Sequence, residues 1–276
     1  FVSPLTVVVE SPPDYAQVAS PSVMVSGWIG APPNSGVTVN GVRAQVHGNQ
    51  FFANDVPLAE GANAISVVVV TADGVAGTTT RNVTRTGSAP IRVFVDAERG
   101  FAPHTATVRV DNPTGLTIAG VRYENLGGAA LDVTGANQEV IGNLTLASAG
   151  IATPTVVVTD AAGNVYRQQV GVLAVSRSSV DALLKAAWNI STATLAAGRV
   201  DLALASLPAV TAARYKPILE PLGPHFASII PTWSAPMTGR LADDIGEYTI
   251  ARNLDGQNRL FFIYFVRDDR WIWRLD

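Results

Sequence analysis

The sequence has no cysteine, few charges and no long apolar run, and each absence excludes a class of protein. The lack of cysteine in 276 residues removes disulfides, thiolate catalysis and cysteine-based zinc sites. Charged residues make up 15% of the chain, against about 25% in ordinary soluble domains. The longest apolar runs, at 67–70 and 260–266, are far shorter than the roughly 20 residues that cross a bilayer. We therefore expect no membrane insertion.

Basic residues are also scarce and scattered. Only two of the 19 are lysines, Lys185 and Lys216, and the formal net charge is −3. Nucleic acid is not an expected partner, because its phosphates require a basic stripe. Cysteine-free chains occur both in the cytosol and in large bacterial surface proteins, so composition alone leaves the compartment open. The start at Phe1, without Met or a signal peptide, predicts a mature or excerpted segment of a longer protein.

Short Val- and Thr-rich runs, bounded by Gly, Pro, Asn or Asp, fill the first two thirds of the chain. Seven such runs lie in residues 3–86, which is the spacing of an immunoglobulin-like sandwich. After the linker "TGSAP" at 86–90, residues 91–176 show the same pattern of short runs bounded by turn residues. A weak internal repeat supports two tandem sandwiches, because "VVVVTADGVAG" and "TVVVTDAAGNV" both predict a closing β-hairpin, with Asp73 and Asp160 in its turn.

The apolar period changes at Ser178. Helical spacing follows, with apolar positions at Leu184, Trp188 and Leu195 and a predicted stop at Gly198. Two further helices are predicted, after Asp201 and up to Gly223, and four strands follow Pro231. We therefore predict a multidomain, mainly β protein: immunoglobulin-like β-sandwiches at 1–87 and 88–177, then an α+β domain at 178–276, with helices packed on an antiparallel sheet.

The C-terminal run "RLFFIYFVRDDRWIWRLD" is apolar on both strand faces. Phe262, Tyr264 and Val266 fall on one face, and Phe261, Ile263 and Phe265 fall on the other. One face should cover the helices. The other should line a cavity, meet a neighbour or be concave.

The first segment carries "VNGVRA", "FFANDVPL", "EGANAI" and "TADGVAG" in order, and over residues 3–86 it resembles the immunoglobulin-like domain known as domain B of glucodextranase. The resemblance implies a non-catalytic accessory module. Such modules occur in tandem arrays on secreted bacterial enzymes, adhesins and Rhs/YD-repeat proteins.

The other two segments have weaker resemblances. "GFAPHTATVRV" and "TVVVTDAAGNVY" are similar to the early strand and the final hairpin of the PKD type of sandwich. That family's aromatic Trp-Asp-Phe-Gly-Asp-Gly run is absent, and "YENLGG" at 123–128 takes its place. The last segment is loosely similar to the cone-shaped fold of nuclear transport factor and cystatin-like domains, and this resemblance assigns no catalytic residue.

No catalytic constellation is visible in the sequence. The histidines, His47, His104 and His225, fall in three different segments, so none is paired as metal ligands or as base and nucleophile would be. Phosphate-binding glycine loops and Gly-x-Ser-x-Gly elbows are absent from the sequence. We predict no catalytic residue, no metal ligand and no cofactor.

Neighbouring acidic residues do not suggest a shared ligand. Asp243-Asp244 and Asp268-Asp269 are adjacent pairs, and adjacent residues of a strand point to opposite faces. Asp268-Asp269 predicts a hairpin turn. Calcium binding by Asp96, Glu98 and Asp160 at a domain junction stays open, although no Asp-x-Asp-x-Asp pattern exists.

Aromatic residues are the remaining candidates for binding. Trp233 in "IPTWSAP" is the best exposed indole for stacking on a sugar, because flanking prolines confine it to a loop. Trp188, Trp271 and Trp273 are expected in the core. A pocket on the third domain's sheet is a further hypothesis. The candidate ligand-binding residues are Trp233 and, for this pocket, Tyr215, His225, Tyr248, Arg252 and Tyr264.

These observations favour a non-catalytic extracellular segment of a larger bacterial surface or secreted protein. It would act as a spacer and adhesive module that contacts protein partners or neighbouring copies. The first alternative is a carbohydrate-binding accessory region of a secreted glycoside-acting enzyme. The second is a C-terminal cone domain with a small-molecule pocket or an enzyme activity.

Overall fold

The computed structural model describes residues 5–136 and 139–276, so the first four residues of the predicted first domain lie outside it. The chain forms two compact units. The first comprises Phe1–Pro32, Gly36–Val70 and Ala76–Ser176, and the second comprises Pro33–Ser35, Thr71–Val75 and Arg177–Asp276. The first unit holds two β-sandwiches and the second is α+β, which confirms the predicted fold class. The three domain boundaries stay a prediction.

Within residues 5–85, the first sandwich is built from nine strands in two sheets. Its strands are β1 (Thr6–Ser11), β2 (Ala16–Val18), β3 (Ser22–Gly30), β4 (Gly36–Val39), β5 (Val42–Arg43), β6 (Gln45–His47), β7 (Gln50–Pro57), β8 (Gly61–Val70) and β9 (Ala76–Arg85). One sheet has the order β1-β3-β7-β6 and the other β2-β9-β8-β4-β5. Alternate side chains of these strands, such as Val25, Phe51 and Ile65, meet in one core.

Turn chemistry sets the register of this sandwich. Asn40 and Gly41 both have positive φ, 47° and 82°, and join β4 to β5 so that Val39 faces Val42. This is the Asn-Gly hairpin that the sequence predicts. A bulge interrupts β7, because Val56 pairs with Val23 whereas Ala53 pairs with Val25.

The described part of the second sandwich contains ten strands in three sheets. They are β10 (Arg92–Asp96), β11 (Arg99–Phe101), β12 (His104–Asp111), β13 (Ile118–Glu124), β14 (Ala130–Ala136), β15 (Glu139–Leu146), β16 (Gly150–Ala152), β17 (Thr155–Asp160), β18 (Val165–Gln169) and β19 (Val172–Val175). The sheet orders are β10-β12-β15-β14, β11-β19-β16 and β13-β17-β18. Both predicted closing hairpins form, as β8–β9 and β17–β18.

The α+β unit begins where the apolar period changes. Its helices are α1 (Arg177–Ala196), α2 (Val200–Leu204), α3 (Ala209–Leu222) and α4 (Phe226–Ile229), with 3₁₀ turns at Gly223–His225 and Ile230–Thr232. Helix α1 buries Val180, Leu184 and Leu195 at helical spacing. As predicted, α1 stops before Gly198, whose φ of 72° suits glycine. No helix in the described residues is long and apolar enough to cross a membrane.

The sheet of this unit has the order β20-β21-β22-β23. Its strands are β20 (Met237–Leu241), β21 (Ile245–Leu254), β22 (Gln257–Arg267) and β23 (Trp273–Leu275). The inner face buries Tyr248, Ile250, Ile263 and Phe265. On the outer face, the rings of Phe262 and Tyr264 stack 6.5 Å apart and remain exposed. The predicted division of this strand into two apolar faces is therefore confirmed.

Candidate functional site

The α+β unit contains an apolar cavity of about 310 Å³ between its helices and the inner face of its sheet. Three of the six candidate residues predicted from the sequence, Tyr215, Trp233 and Arg252, line it. Trp188 and Leu195 of α1 and Leu219 of α3 form the helical wall. A volume near 300 Å³ is at the small end of the range for ligand pockets.

Two tryptophans stack at one end of this cavity. The rings of Trp188 and Trp233 lie 5.6 Å apart with an angle of 26° between their planes. Trp233 is half-buried and forms an isolated β-bridge with Arg252, which holds it beside β21. One face of the Trp233 indole is therefore covered by Trp188. The sequence did not predict this pairing, because Trp188 and Trp233 belong to separate elements.

Arg252 brings a cation to the same wall. Its Nε is buried and has no hydrogen-bond partner. Two of the hydroxyls that line the cavity already have acceptors within the unit. The Thr192 hydroxyl donates to the Trp188 carbonyl oxygen at 3.0 Å, and the Thr211 hydroxyl donates to Asp276 Oδ1 at 2.5 Å. A buried donor without an acceptor carries a desolvation penalty, so the Arg252 Nε is a cavity group with unused hydrogen-bonding capacity.

Tyr248 does not line the cavity, although it lies on the inner face. It is fully buried, and its hydroxyl donates to Asp181 Oδ1 of α1 at 3.0 Å. Burial and this hydrogen bond raise the pKa of Tyr248 far above its usual value. Burial tends to raise the pKa of Asp181, but hydrogen bonds from Thr238, Lys185 and Tyr248 prevail and lower it. Tyr248 thus joins α1 to the sheet as a neutral donor.

His225 and Tyr264 also lie outside the cavity. His225 is exposed in the 3₁₀ turn Gly223–His225. Tyr264 pairs with Glu247 across β21 and β22, whereas Tyr248 pairs with Ile263. Neighbouring residues of a strand point to opposite faces, so Tyr264 and Tyr248 cannot share a pocket. The sequence hypothesis of one pocket lined by Tyr215, His225, Tyr248, Arg252 and Tyr264 is therefore wrong: Tyr215 and Arg252 line the cavity and the other three do not.

The acidic residues considered for calcium each have separate partners. Asp96 pairs with Arg109 at 2.7 Å, and Glu98 accepts hydrogen bonds from Gln45 and Asn54, each at 2.7 Å. Asp160 instead accepts hydrogen bonds within its own hairpin turn. No group of three or more His, Asp or Glu side chains in residues 5–136 and 139–276 is placed to hold a metal ion. The hypothesis that these three carboxylates approach one another is wrong, because each meets a closer donor.

A second polar cluster, at the junction of the two sandwiches, was not predicted from the sequence. Asn54 Nδ2 donates to Glu98 Oε2 at 2.7 Å and to the Gly171 carbonyl oxygen at 2.9 Å. The Gly171 N–H donates back to Asn54 Oδ1 at 2.8 Å. Gln45, which is 3% exposed, donates to the other oxygen of Glu98. A buried polar network whose members are all paired fixes the relative orientation of the two segments that it joins.

Apolar side chains surround this polar junction. Met24 and Phe52 of the first sandwich form one buried cluster with Leu173 and Val175 of the second. Gly171 leaves room for the Phe52 ring, since a Cβ on Gly171 would overlap it. The two hydrogen bonds between Asn54 and Gly171 are buried, and the low local dielectric strengthens them. The one sequence signal was the Asn54-Asp55 pair inside the apolar β7, which marks the bulge.

No protein-family model matches the chain, and no curated protein matches it. The glucodextranase-type and PKD-type assignments are therefore not confirmed and stay proposals. Among solved structures, fibronectin(III)-like modules of CbhA from Clostridium thermocellum are 13% identical, with a TM-score of 0.24 over 62% of this chain and 95% of that chain. Domains 5–6 of the S-layer protein SbsC are 13% identical, with a TM-score of 0.28 over 62% and 98%.

SGBP-B of the Bacteroides ovatus mixed-linkage glucan utilization locus, solved with a mixed-linkage heptasaccharide, is 15% identical with a TM-score of 0.22. The match covers 62% of this chain and 47% of that chain, so this chain spans about half of SGBP-B. At these identities and TM-scores the similarities carry no inference about function.

Proposed function

We propose that this chain is a non-catalytic structural segment of a larger bacterial surface or secreted protein, located outside the cell. Its two sandwiches act together as a stiff spacer, and its α+β unit contacts protein partners or neighbouring copies. The observation that carries this proposal is the closed junction between the sandwiches. There Asn54 is bonded to both Glu98 and Gly171.

A spacer must hold its modules at a fixed angle, and two features of the junction favour this. Asn54 and Gln45 are almost fully buried, and their amides pair with partners from the second sandwich. Separating the modules would expose these groups together with Phe52 and Leu173. A buried apolar cluster with a satisfied polar network opposes bending more strongly than a linker with few contacts.

The hydrogen bonds of two buried or half-buried aspartates support a non-catalytic function. Asp181 binds Tyr248, Thr238 and Lys185, and Asp160 binds donors of its own turn. Both of these carboxylates are thus occupied by donors of the fold. A general acid or base needs a proton-transfer partner in the substrate and must reach it.

The sheet of the α+β unit supplies a surface suited to protein contact. Met237, Leu260 and Phe262 are 49%, 59% and 62% exposed on its outer face. Strand β23 pairs only with residues 265–267 of β22, so in the described chain the rest of that edge of β22 has no strand partner. An open apolar edge favours pairing with a strand of another chain.

Two measurements on the full chain test the proposal. Amide ¹⁵N relaxation should give one rotational correlation time for β3 and β7 of the first sandwich and β12 and β15 of the second. Different times would contradict the stiff spacer. On immobilised polysaccharides we expect no retention. The control is Trp28→Ala, which removes a half-buried indole of β3 in the first sandwich. Retention that Trp233→Ala abolishes and Trp28→Ala preserves would favour the carbohydrate-binding alternative instead.

A further inference from the structure

Two arginines face each other across the β21–β22 hairpin. Arg252 pairs with Arg259 in the strand register, and side chains directly opposite in an antiparallel pair leave from the same face with Cβ atoms about 4.5–5.5 Å apart. Like charges in such a pair destabilise the sheet. In residues 5–136 and 139–276, no carboxylate lies within 4.0 Å of either guanidinium. The hairpin therefore concentrates positive charge that the described chain does not neutralise.

This arginine pair adjoins the apolar cavity. Arg252 lines the cavity wall together with Ile250 and Ile263 of the same sheet face. Its Nε is buried without an acceptor. The opposite wall consists of Trp188, Leu195 and Leu219. Asp276 also lines the cavity, and its Oδ1 accepts a hydrogen bond from Thr211. The site thus combines apolar walls with the Arg252 guanidinium and a carboxylate that already has a donor.

The chemistry of the walls restricts the ligand. The Thr192 and Thr211 hydroxyls already donate to acceptors of the unit, and most of the lining residues are apolar. A molecule with many hydroxyls or several charges would therefore leave some of its polar groups unpaired. An arginine guanidinium pairs with a carboxylate through two parallel hydrogen bonds. Aromatic and aliphatic walls suit an apolar body of modest size.

We propose that this cavity binds a small apolar monocarboxylic acid. The carboxylate pairs with Arg252 beside Arg259, and the hydrocarbon or aryl body lies between Trp188 and Leu219. The proposal is independent of the spacer function, because every residue in it belongs to the α+β unit.

Isothermal titration of the full chain with 4-phenylbutyrate and octanoate tests the proposal. The matched neutral probes are 4-phenylbutanol and octanol. We expect both acids to bind and each alcohol to bind at least about tenfold more weakly, because it lacks the charge-assisted hydrogen bonds. Absence of heat and of any rise in melting temperature at millimolar acid would overturn the site. Equal affinity of acid and alcohol would overturn the role of the arginines.

Variants separate the headgroup contact from general charge. Arg252→Gln should weaken binding of the acids at least about tenfold, and Arg259→Gln should weaken it less. The matched control is Arg240→Gln, an exposed arginine of β20 in the same sheet, which should leave affinity unchanged. Equal losses in Arg240→Gln and Arg252→Gln would contradict the proposal.

Stability of the unliganded variants gives a second readout. Because either glutamine substitution relieves like-charge repulsion, we expect Arg252→Gln and Arg259→Gln to melt no lower than the parent chain. A lower melting temperature for both variants would show that the arginines stabilise the empty fold, and would overturn the assignment of the pair to a ligand.

Discussion

Asn54 and Gly171 exchange two hydrogen bonds across the junction of the sandwiches. Asn54 Nδ2 donates to the Gly171 carbonyl oxygen at 2.9 Å, and the Gly171 N–H donates to Asn54 Oδ1 at 2.8 Å. The side-chain amide thereby reproduces the double exchange of a hydrogen-bonded antiparallel pair. One side chain of the first sandwich satisfies both backbone groups of a residue in the second.

Replacing Asn54 with alanine should destabilise the first unit. Asn54→Ala leaves the buried N–H and carbonyl of Gly171 without partners and removes one donor from Glu98. We expect the free energy of unfolding to fall by about 2–4 kcal/mol, measured by urea denaturation. The control is Asn49→Ala, in an exposed turn, which should change stability by less than about 0.5 kcal/mol. Equal effects of the two variants would contradict the role of Asn54.

Gly171→Ala should also destabilise this junction, by a steric route. Its Cβ would overlap the Phe52 ring, so we expect a loss of about 1–3 kcal/mol. In the Phe52→Leu background, where the ring is absent, the same substitution should be less harmful. A double-mutant cycle in urea measures this coupling, and strictly additive effects would show that the overlap is relieved elsewhere.

Tyr123→Phe should raise the stability of the second sandwich. The Tyr123 hydroxyl is buried and has no hydrogen-bond partner, so its removal should increase the free energy of unfolding by up to about 1 kcal/mol. The matched control is Tyr166→Phe, which loses a 3.1 Å hydrogen bond to Asp160 and should destabilise. A loss of stability in Tyr123→Phe would mean that the hydroxyl has a partner in solution.

Tyr123 should also lose its proton at a higher pH than an ordinary tyrosine. Burial raises the pKa of Tyr123 to about 12, from an ordinary value of 10.0. The unfolded chain then releases this proton first as pH rises, so this titration leaves the free energy of unfolding unchanged below pH 10 and lowers it as pH rises from 10 towards 12. Absorbance titration should show one tyrosinate fewer near pH 12 in Tyr123→Phe.

Asp160 should make the second sandwich sensitive to acid. The Asn164 side-chain hydrogen bond, with others from Tyr166 and the Ala162 backbone, outweighs burial and lowers the pKa of Asp160 from its ordinary 3.8. The unfolded chain therefore takes up the proton first as pH falls. The contribution of this carboxylate is present above pH 3.8 and is lost as pH falls through the folded-state pKa.

The stability difference between the parent and Asp160→Asn should accordingly be larger at pH 7 than at pH 3. Denaturant unfolding at both pH values measures it. Asp132→Asn is the control, because Asp132 is exposed on β14 and its substitution should change stability by less than about 0.5 kcal/mol. A difference that stays constant between pH 7 and pH 3 would contradict the role of the Asp160 carboxylate.

Local patterns predicted much of this fold. The Asn40-Gly41 hairpin, the end of α1 at Gly198 and the two faces of β22 each depend on backbone preferences of a few consecutive residues. The junction could not be predicted in this way. Asn54 is 44 positions from Glu98 and 117 from Gly171, and no local preference connects residues so far apart.

The candidate site could be predicted only in part, because some of its contacts join residues that are far apart in the sequence. Tyr215, Trp233 and Arg252 were recognised by residue type, but their meeting with Trp188 depends on how the helices cover the sheet. The error in grouping Tyr264 with Tyr248 was avoidable. The Asp255-Gly256 turn sets Leu254 opposite Gln257, and counting along both strands from there puts Tyr264 and Tyr248 on opposite faces.

The fixed junction between the sandwiches is most directly tested by a spin-label distance measurement. The chain has no cysteine, so labels at Glu60→Cys and Asp111→Cys, both exposed positions, mark one sandwich each without background. Double electron–electron resonance should give one narrow distance distribution, which broadens when Asn54→Ala is added. A broad distribution with Asn54 intact would contradict the stiff spacer.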